Sequence, residues 1–185
     1  MDMLNSFLMR TKILAWWVED KAVALTEAAI LFPVLLSLLM GVYDLGQGVV
    51  VNQKVMSASQ VVGDLITRYE VVNMDLVNDI ILAGKMALEP YPTGTFGYDI
   101  ASIEFDEDGD PVVLWRVTQG MPANDTAVAS TAGFAEEGEG LVVVSVAYEY
   151  TPFFADFVVD QIDMREVAFL RGRKSATIAC TDCPS

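Results

Sequence analysis

Residues 22–51 read AVALTEAAILFPVLLSLLMGVYDLGQGVVV, and from Ala28 to Tyr43 they carry no charge. As a helix rising about 1.5 Å per residue, positions 28–51 cover about 36 Å, more than the roughly 30 Å of a bilayer's hydrocarbon core. A buried core helix and a cleaved secretory signal are the other apolar segments to weigh. A core helix rarely stays apolar on every face for this length. A secretory signal begins earlier, is shorter and ends in a small-residue site, for which LGQGVVVNQK is a poor match. The stretch therefore predicts a membrane-spanning helix.

The flanks set its direction. Arg10, Lys12 and Lys21 precede the apolar run, and Lys54 is the first basic residue after it. A positive-inside count puts the N-terminus in the cytoplasm, and acidic residues such as Glu19 and Asp20 weigh little in it. The three expected segments are a cytoplasmic leader over 1–22, a transmembrane helix over 23–51 and an extracytoplasmic domain over 52–185.

Charge and composition narrow the functions. Residues 1–22 are neutral, with three basic and three acidic side chains, so the remainder holds all of the −15 net charge. Such a domain repels phosphate backbones, and nucleic acid is not an expected partner. Hydrophobic residues make up 53% of the chain, an excess that the apolar segment accounts for. Histidine is absent from the sequence, which excludes Ser-His-Asp and Cys-His chemistry and removes the commonest metal ligand. Asp106, Asp108 and Asp110 form the densest carboxylate cluster. They sit in DEDGD, a turn sequence rather than a cleft, and the twelfth position of a calcium loop counted from Asp106 is Val117. The expectation is no enzyme, no cofactor and no metal.

Within the apolar run, Glu27 stands at the mouth and Pro33 interrupts the backbone ladder. A carboxylate in hydrocarbon costs a few kcal/mol, so Glu27 either lies at headgroup level or has a partner. The order Glu27, Pro33, Gly41, Asp44, Leu45, Gly46 within LTEAAILFPVLLSLLMGVYDLGQGVVVNQKVMSAS resembles the TadE-like family of pseudopilins, components of the Flp (tight-adherence, Tad) pilus machinery. The close likeness covers about residues 22–68. The resemblance implies a pilin-like fold, a place in the bacterial inner membrane, and partners among pilins, pseudopilins and Tad assembly proteins, besides membrane lipid. It also implies processing by a prepilin peptidase between Ala22 and Val23, which leaves Glu27 fifth in the mature chain. Glycine is usual before that bond, where this chain has Ala22. The new amine at Val23 would lie one helical turn from Glu27, and such a pair near hydrocarbon attracts far more strongly than in water. A related TadG-like group shares the apolar motif without processing. The alternative is thus an uncleaved signal anchor that tethers a ligand-binding or sensor domain outside the cytoplasm.

Beyond the anchor, Val55, Met56, Val61, Val62, Leu65 and Ile66 recur at near-helical spacing, so the helix is expected to run on to about Arg68 with one face buried. A second helix is expected from an Asn73 N-cap to about Leu88, ended by EPYPTGTFG. Residues 98–105 and 111–118 flank DEDGD as a hairpin, and further strands are expected at 141–150 and about 163–171. Residues 119–140 read as a loop. Residues 151–160, TPFFADFVVD, are apolar and read as a short helix or an exposed patch. The fold class is α+β, a long N-terminal helix packed on a small antiparallel sheet. Cys180 and Cys183 form a C-x-x-C without the βαβ context of a redox enzyme; a local disulfide and disulfides to a partner are both open.

Overall fold

The computed structural model describes residues 2–154 and 160–184, with side chains from residue 23 onward. The chain divides into two compact units, Met1–Leu45 and Gly46–Ser185. The elements run α1 (Asp2–Ile66), β1 (Val71–Val72), α2 (Met74–Met86), β2 (Gly97–Phe105), β3 (Pro111–Gln119), α3 (Asp125–Ala129), β4 (Gly140–Tyr150), β5 (Ile162–Leu170) and β6 (Ala179–Cys180).

From Ala28 to Tyr43 α1 is apolar on all sides. Ile30, Leu31, Phe32, Leu35, Leu38 and Leu39 are all exposed, and Pro33 lies inside the helix. Two hydroxyls at or near this stretch bond to their own helix: Thr26 Oγ1 donates to the Val23 carbonyl at 2.7 Å and Ser37 Oγ to the Val34 carbonyl at 2.9 Å. Each leaves an apolar outer surface, as hydrocarbon demands. Among the described residues, one helix, Val23–Ile66 of α1, is long and apolar enough to cross a membrane. It is a single-pass membrane anchor by length and composition.

In the second unit α1 becomes one-sided. Val51, Val55, Ala58, Val62 and Ile66 recur every three or four residues and are at most 1% exposed. Met56 departs from the expected stripe and is 42% exposed, because it lies a further turn of about 100° from Val55. The stripe packs into one core with Val77, Ile80 and Ile81 of α2 and with one face of a four-stranded sheet, ordered β3-β2-β4-β5 and antiparallel throughout. That face presents Tyr98 and Ile100 from β2 and Val142, Val144, Val146 and Tyr148 from β4. The opposite face is covered too: Ala101, Ile103, Phe105, Leu141 and Val143 pack with Ala127 and Val128 of α3. Double coverage explains why β4 reads LVVVSVA rather than alternating. The architecture is α+β, as the sequence implies.

α2 begins where its cap sits. The Asn73 side chain accepts a hydrogen bond from the Leu76 N–H at 2.9 Å. Three details differ from the expected pattern. α1 stops at Ile66, and the Thr67 N–H closes the helix on Gly63. Residues 119–140 contain a helical turn, α3, capped by Asn124. Residues 71–72 and 179–180 form a two-stranded parallel sheet, too short for any period-2 signal. Of the expected patch at 151–160, residues 155–159 lie outside the described residues.

Candidate functional site

The motif residues sit on one continuous helix. Glu27 and Pro33 are exposed on α1, and a side chain added at Gly41 or Gly46 would meet nothing within 4 Å. Leu45 is 71% exposed, whereas Asp44 is 5% exposed. Val23 is 55% exposed and starts the turn that contains Glu27; the side chain of Ala22 lies outside the described residues. The open surface of the helix from Ala28 to Val50 is mainly apolar, with Phe32 and Tyr43 among its exposed side chains, and suits lipid and other apolar helices.

The acidic turn is self-satisfied. Asp106 Oδ1 accepts the N–H groups of Asp108 at 3.0 Å and Asp110 at 2.8 Å. Gly109 takes φ +78°, a conformation that other residues rarely adopt. These carboxylates build the hairpin tip.

The strongest polar constellation is one the sequence reading missed. Asp99, 2% exposed in mid-β2, accepts two hydrogen bonds from Arg116, one from Thr118 Oγ1 at 2.8 Å and one from the Asn124 N–H at 2.8 Å. Arg116 also reaches Asp125 at 2.6 Å. Burial pushes the Asp99 carboxyl up, but the bonds from Arg116, Asn124 and Thr118 outweigh it and hold the group below its ordinary value. The signal was available: an aspartate inside an apolar strand must have a partner. The network ties the 119–140 connection to the sheet.

The C-terminal segment is sewn in. Ile178 is 1% exposed, and its carbonyl accepts both Trp115 Nε1 at 2.7 Å and Ser102 Oγ at 2.9 Å. Cys180 and Cys183 are bonded to each other. Asp182 stands beside them, but its Oδ1 accepts the Met74 N–H at 2.8 Å and both sulfurs are in the disulfide, so the trio is a cap on α2 and not a ligand set.

The TadE-like protein family model matches residues 22–63, the apolar helix and its continuation into the domain. No curated protein and no solved structure matches the chain. That family is not enzymatic in general. Over residues 22–63 the chain is thus similar to the TadE-like proteins.

Proposed function

We propose that the chain is a minor pseudopilin that helps to assemble a Flp/Tad-type adhesion pilus. The observation that carries this reading is that the TadE-like match at 22–63 includes a helical stretch, Ala28 to Tyr43, whose apolar surface is open on all sides. A surface of that kind is satisfied by lipid before assembly and by the helices of other pilins or pseudopilins after it. Residues 1–22 are the cytoplasmic leader, 23–51 the transmembrane helix, and 52–185 the domain in the periplasm or on the pilus. A prepilin peptidase cuts between Ala22 and Val23, and the new amine pairs with Glu27 of its own or a neighbouring chain. The pairing fixes register between subunits, because two opposite charges near hydrocarbon have no better partner.

Ala22, where the family usually has glycine, favours a second reading. In it the leader stays on, and the chain is a TadG-like signal anchor for a ligand-binding or sensor domain. One measurement separates the two. The chain is purified from cells with an active prepilin peptidase, and its intact mass and N-terminal sequence are read. The pseudopilin reading expects VALTE at the N-terminus and no cut in Ala22→Lys. An intact residue 1 would refute it in favour of the anchor. A reporter active only outside the cytoplasm, fused after Ser185, is active in either reading; silence there reverses the topology.

A further inference from the structure

The basic residues of the second unit gather on one flank. Eight basic residues follow Leu45, in a stretch of net charge −13. Four of them, Arg165, Arg171, Arg173 and Lys174, fall within ten positions that hold one acidic residue, Glu166. β5 presents this flank. It is the last strand of its sheet, and among the described residues no further strand pairs with its outer side. Arg165, Val167 and Phe169 alternate onto one face, where Val167 packs on the second core. Phe169 is 42% exposed and meets Phe134, 56% exposed, edge-on at 6.2 Å between centroids. Arg171 donates to the Phe134 carbonyl at 3.2 Å. The acidic side chains nearest this flank have partners: Asp64 meets Arg68 and Arg173, Glu139 meets Arg171, and Glu166 accepts from Asn52. The exposed side chains of Arg165 and Lys174 have no ion-pair or hydrogen-bond partner among the described residues.

The opposite flank is the electrostatic inverse. Glu104 to Asp110 holds five acidic residues and no basic one. Two exposed valines follow, Val112 and Val113. Glu104, Glu107, Val112 and Glu137 are among the residues that line an open hollow of about 320 Å³. Both flanks lie at one end of the sheet, because Glu104 pairs with Gly140 and Leu170 with Val142 on the same strand, β4. β2 and β4 separate β3 from β5, so the two edges stand three strand spacings, about 14 Å, apart. A copy set beside another in the same orientation therefore brings its hairpin to the other's β5.

We propose that two copies of this chain dock side by side, the acidic hairpin of one against the basic, aromatic flank of β5 on the next. Each patch has an apolar centre ringed by charge: valines among carboxylates, phenylalanines among guanidinium and ammonium groups. The apolar side chains supply area to bury, and the opposite charges decide which patch meets which. The hollow takes the end of a long basic side chain, whose stem lies along Val112 while its charge meets the carboxylates. Like patches repel, so hairpin does not meet hairpin. The contact is heterologous, and each docked pair keeps one hairpin and one β5 flank free, so the same step repeats into a row or a ring. It uses the second unit alone and rests neither on cleavage at Ala22 nor on the pilus reading.

The test uses the full chain in phosphatidylcholine vesicles without any other protein, with a donor or an acceptor dye on Leu82→Cys. Leu82 is 52% exposed on α2, and Cys180 and Cys183 are bonded to each other and leave the new thiol as the dye's target. Energy transfer between copies is read at low salt. Arg165→Glu with Lys174→Glu reverses one flank, and Glu107→Lys with Asp108→Lys reverses the other. Each double variant alone should lose transfer severalfold, and the two mixed should regain it, because each then offers the charge that the other needs. Arg165→Gln with Lys174→Gln, which adds no repulsion, should lose less. Salt at about 1 M, where charges are screened beyond about 3 Å, should weaken the native signal. Equal transfer in the native chain and both reversed variants puts the association elsewhere, in the membrane helix for one, and overturns the inference. So does a native chain without transfer, or a mixture that recovers nothing. Unchanged unfolding midpoints show that the reversals leave the fold intact. None of these outcomes touches the N-terminal sequence that tests the pseudopilin reading.

Discussion

Arg116 and Asp99 sit on neighbouring strands and meet through two hydrogen bonds, Nε to Oδ1 at 2.7 Å and Nη2 to Oδ2 at 2.6 Å. Their side chains are 17% and 3% exposed. Removing Arg116 leaves the buried Asp99 carboxylate without a counter-ion, whereas Arg116 keeps Asp125 if Asp99 is removed. Arg116→Ala should therefore lower stability by about 3–5 kcal/mol, read as the denaturant midpoint of the full chain in detergent. A change below about 1 kcal/mol would mean that water reaches the pair.

The same pair sets an acid limb. The folded Asp99 carboxyl titrates below the 3.8 of the unfolded chain, so its contribution is present above that pH and is lost as pH falls through the folded value. In that window the unfolded chain binds the extra proton. Midpoints measured from pH 6 downward should fall most steeply below about pH 4, and Asp99→Asn should start lower and flatten the limb. An identical slope in the variant would remove Asp99 as the cause.

Glycines separate packing from assembly. A side chain added at Gly84 would stand 2.5 Å from Val62 Cγ2, with the backbone of α1 behind it. Gly84→Val should cost about 1–3 kcal/mol through overpacking. Gly41 and Gly46 have nothing within 4 Å, so Gly41→Leu and Gly46→Leu should leave the domain's unfolding midpoint unchanged. Under the pseudopilin reading they should still reduce pilus formation, because close helix approach in a membrane depends on small residues. Normal pili from both would mean that this face meets only lipid.

The disulfide is expected to act locally. A loop of four residues gains about 2 kcal/mol at most by the chain-entropy relation. The segment is also held by the Ala179 N–H on the Glu70 carbonyl and the Thr181 N–H on the Val72 carbonyl, both 3.1 Å. Cys180→Ser with Cys183→Ser should shift the global midpoint little while speeding amide exchange at Ala179 and Thr181. Cooperative unfolding of the whole domain on reduction would give the bond a larger role.

Glu27 is tested apart from processing. Under the pseudopilin reading, Glu27→Ala leaves the proposed Ala22–Val23 cleavage bond in place, so the fraction cut should persist. Losing a pairing worth about 1.4 kcal/mol lowers an assembly equilibrium about tenfold. Pili counted by electron microscopy should fall accordingly, and unchanged numbers would leave Glu27 as a headgroup-level residue with no register role.

What the sequence determined by itself was periodic or punctuated. Unbroken apolarity from Ala28 to Tyr43 marked the candidate membrane span, and the order Glu27, Pro33, Gly41, Asp44, Leu45, Gly46 carried the TadE-like resemblance, which the family model matches over residues 22–63. The Asn73 cap placed α2, and DEDGD placed the hairpin. Each is a local signal, written in neighbouring residues and needing no partner distant in the chain. Tertiary structure decided what distant residues do together. Trp115 and Ser102 share the Ile178 carbonyl across gaps of 63 and 76 residues. Asp99 finds Arg116 and Asn124 only once three segments are stacked, and Tyr91 reaches Gln47 only after the chain has turned back. Such contacts leave no period in the sequence, because their spacing is set by the path of the chain through space and not by the pitch of a helix or the pleat of a strand.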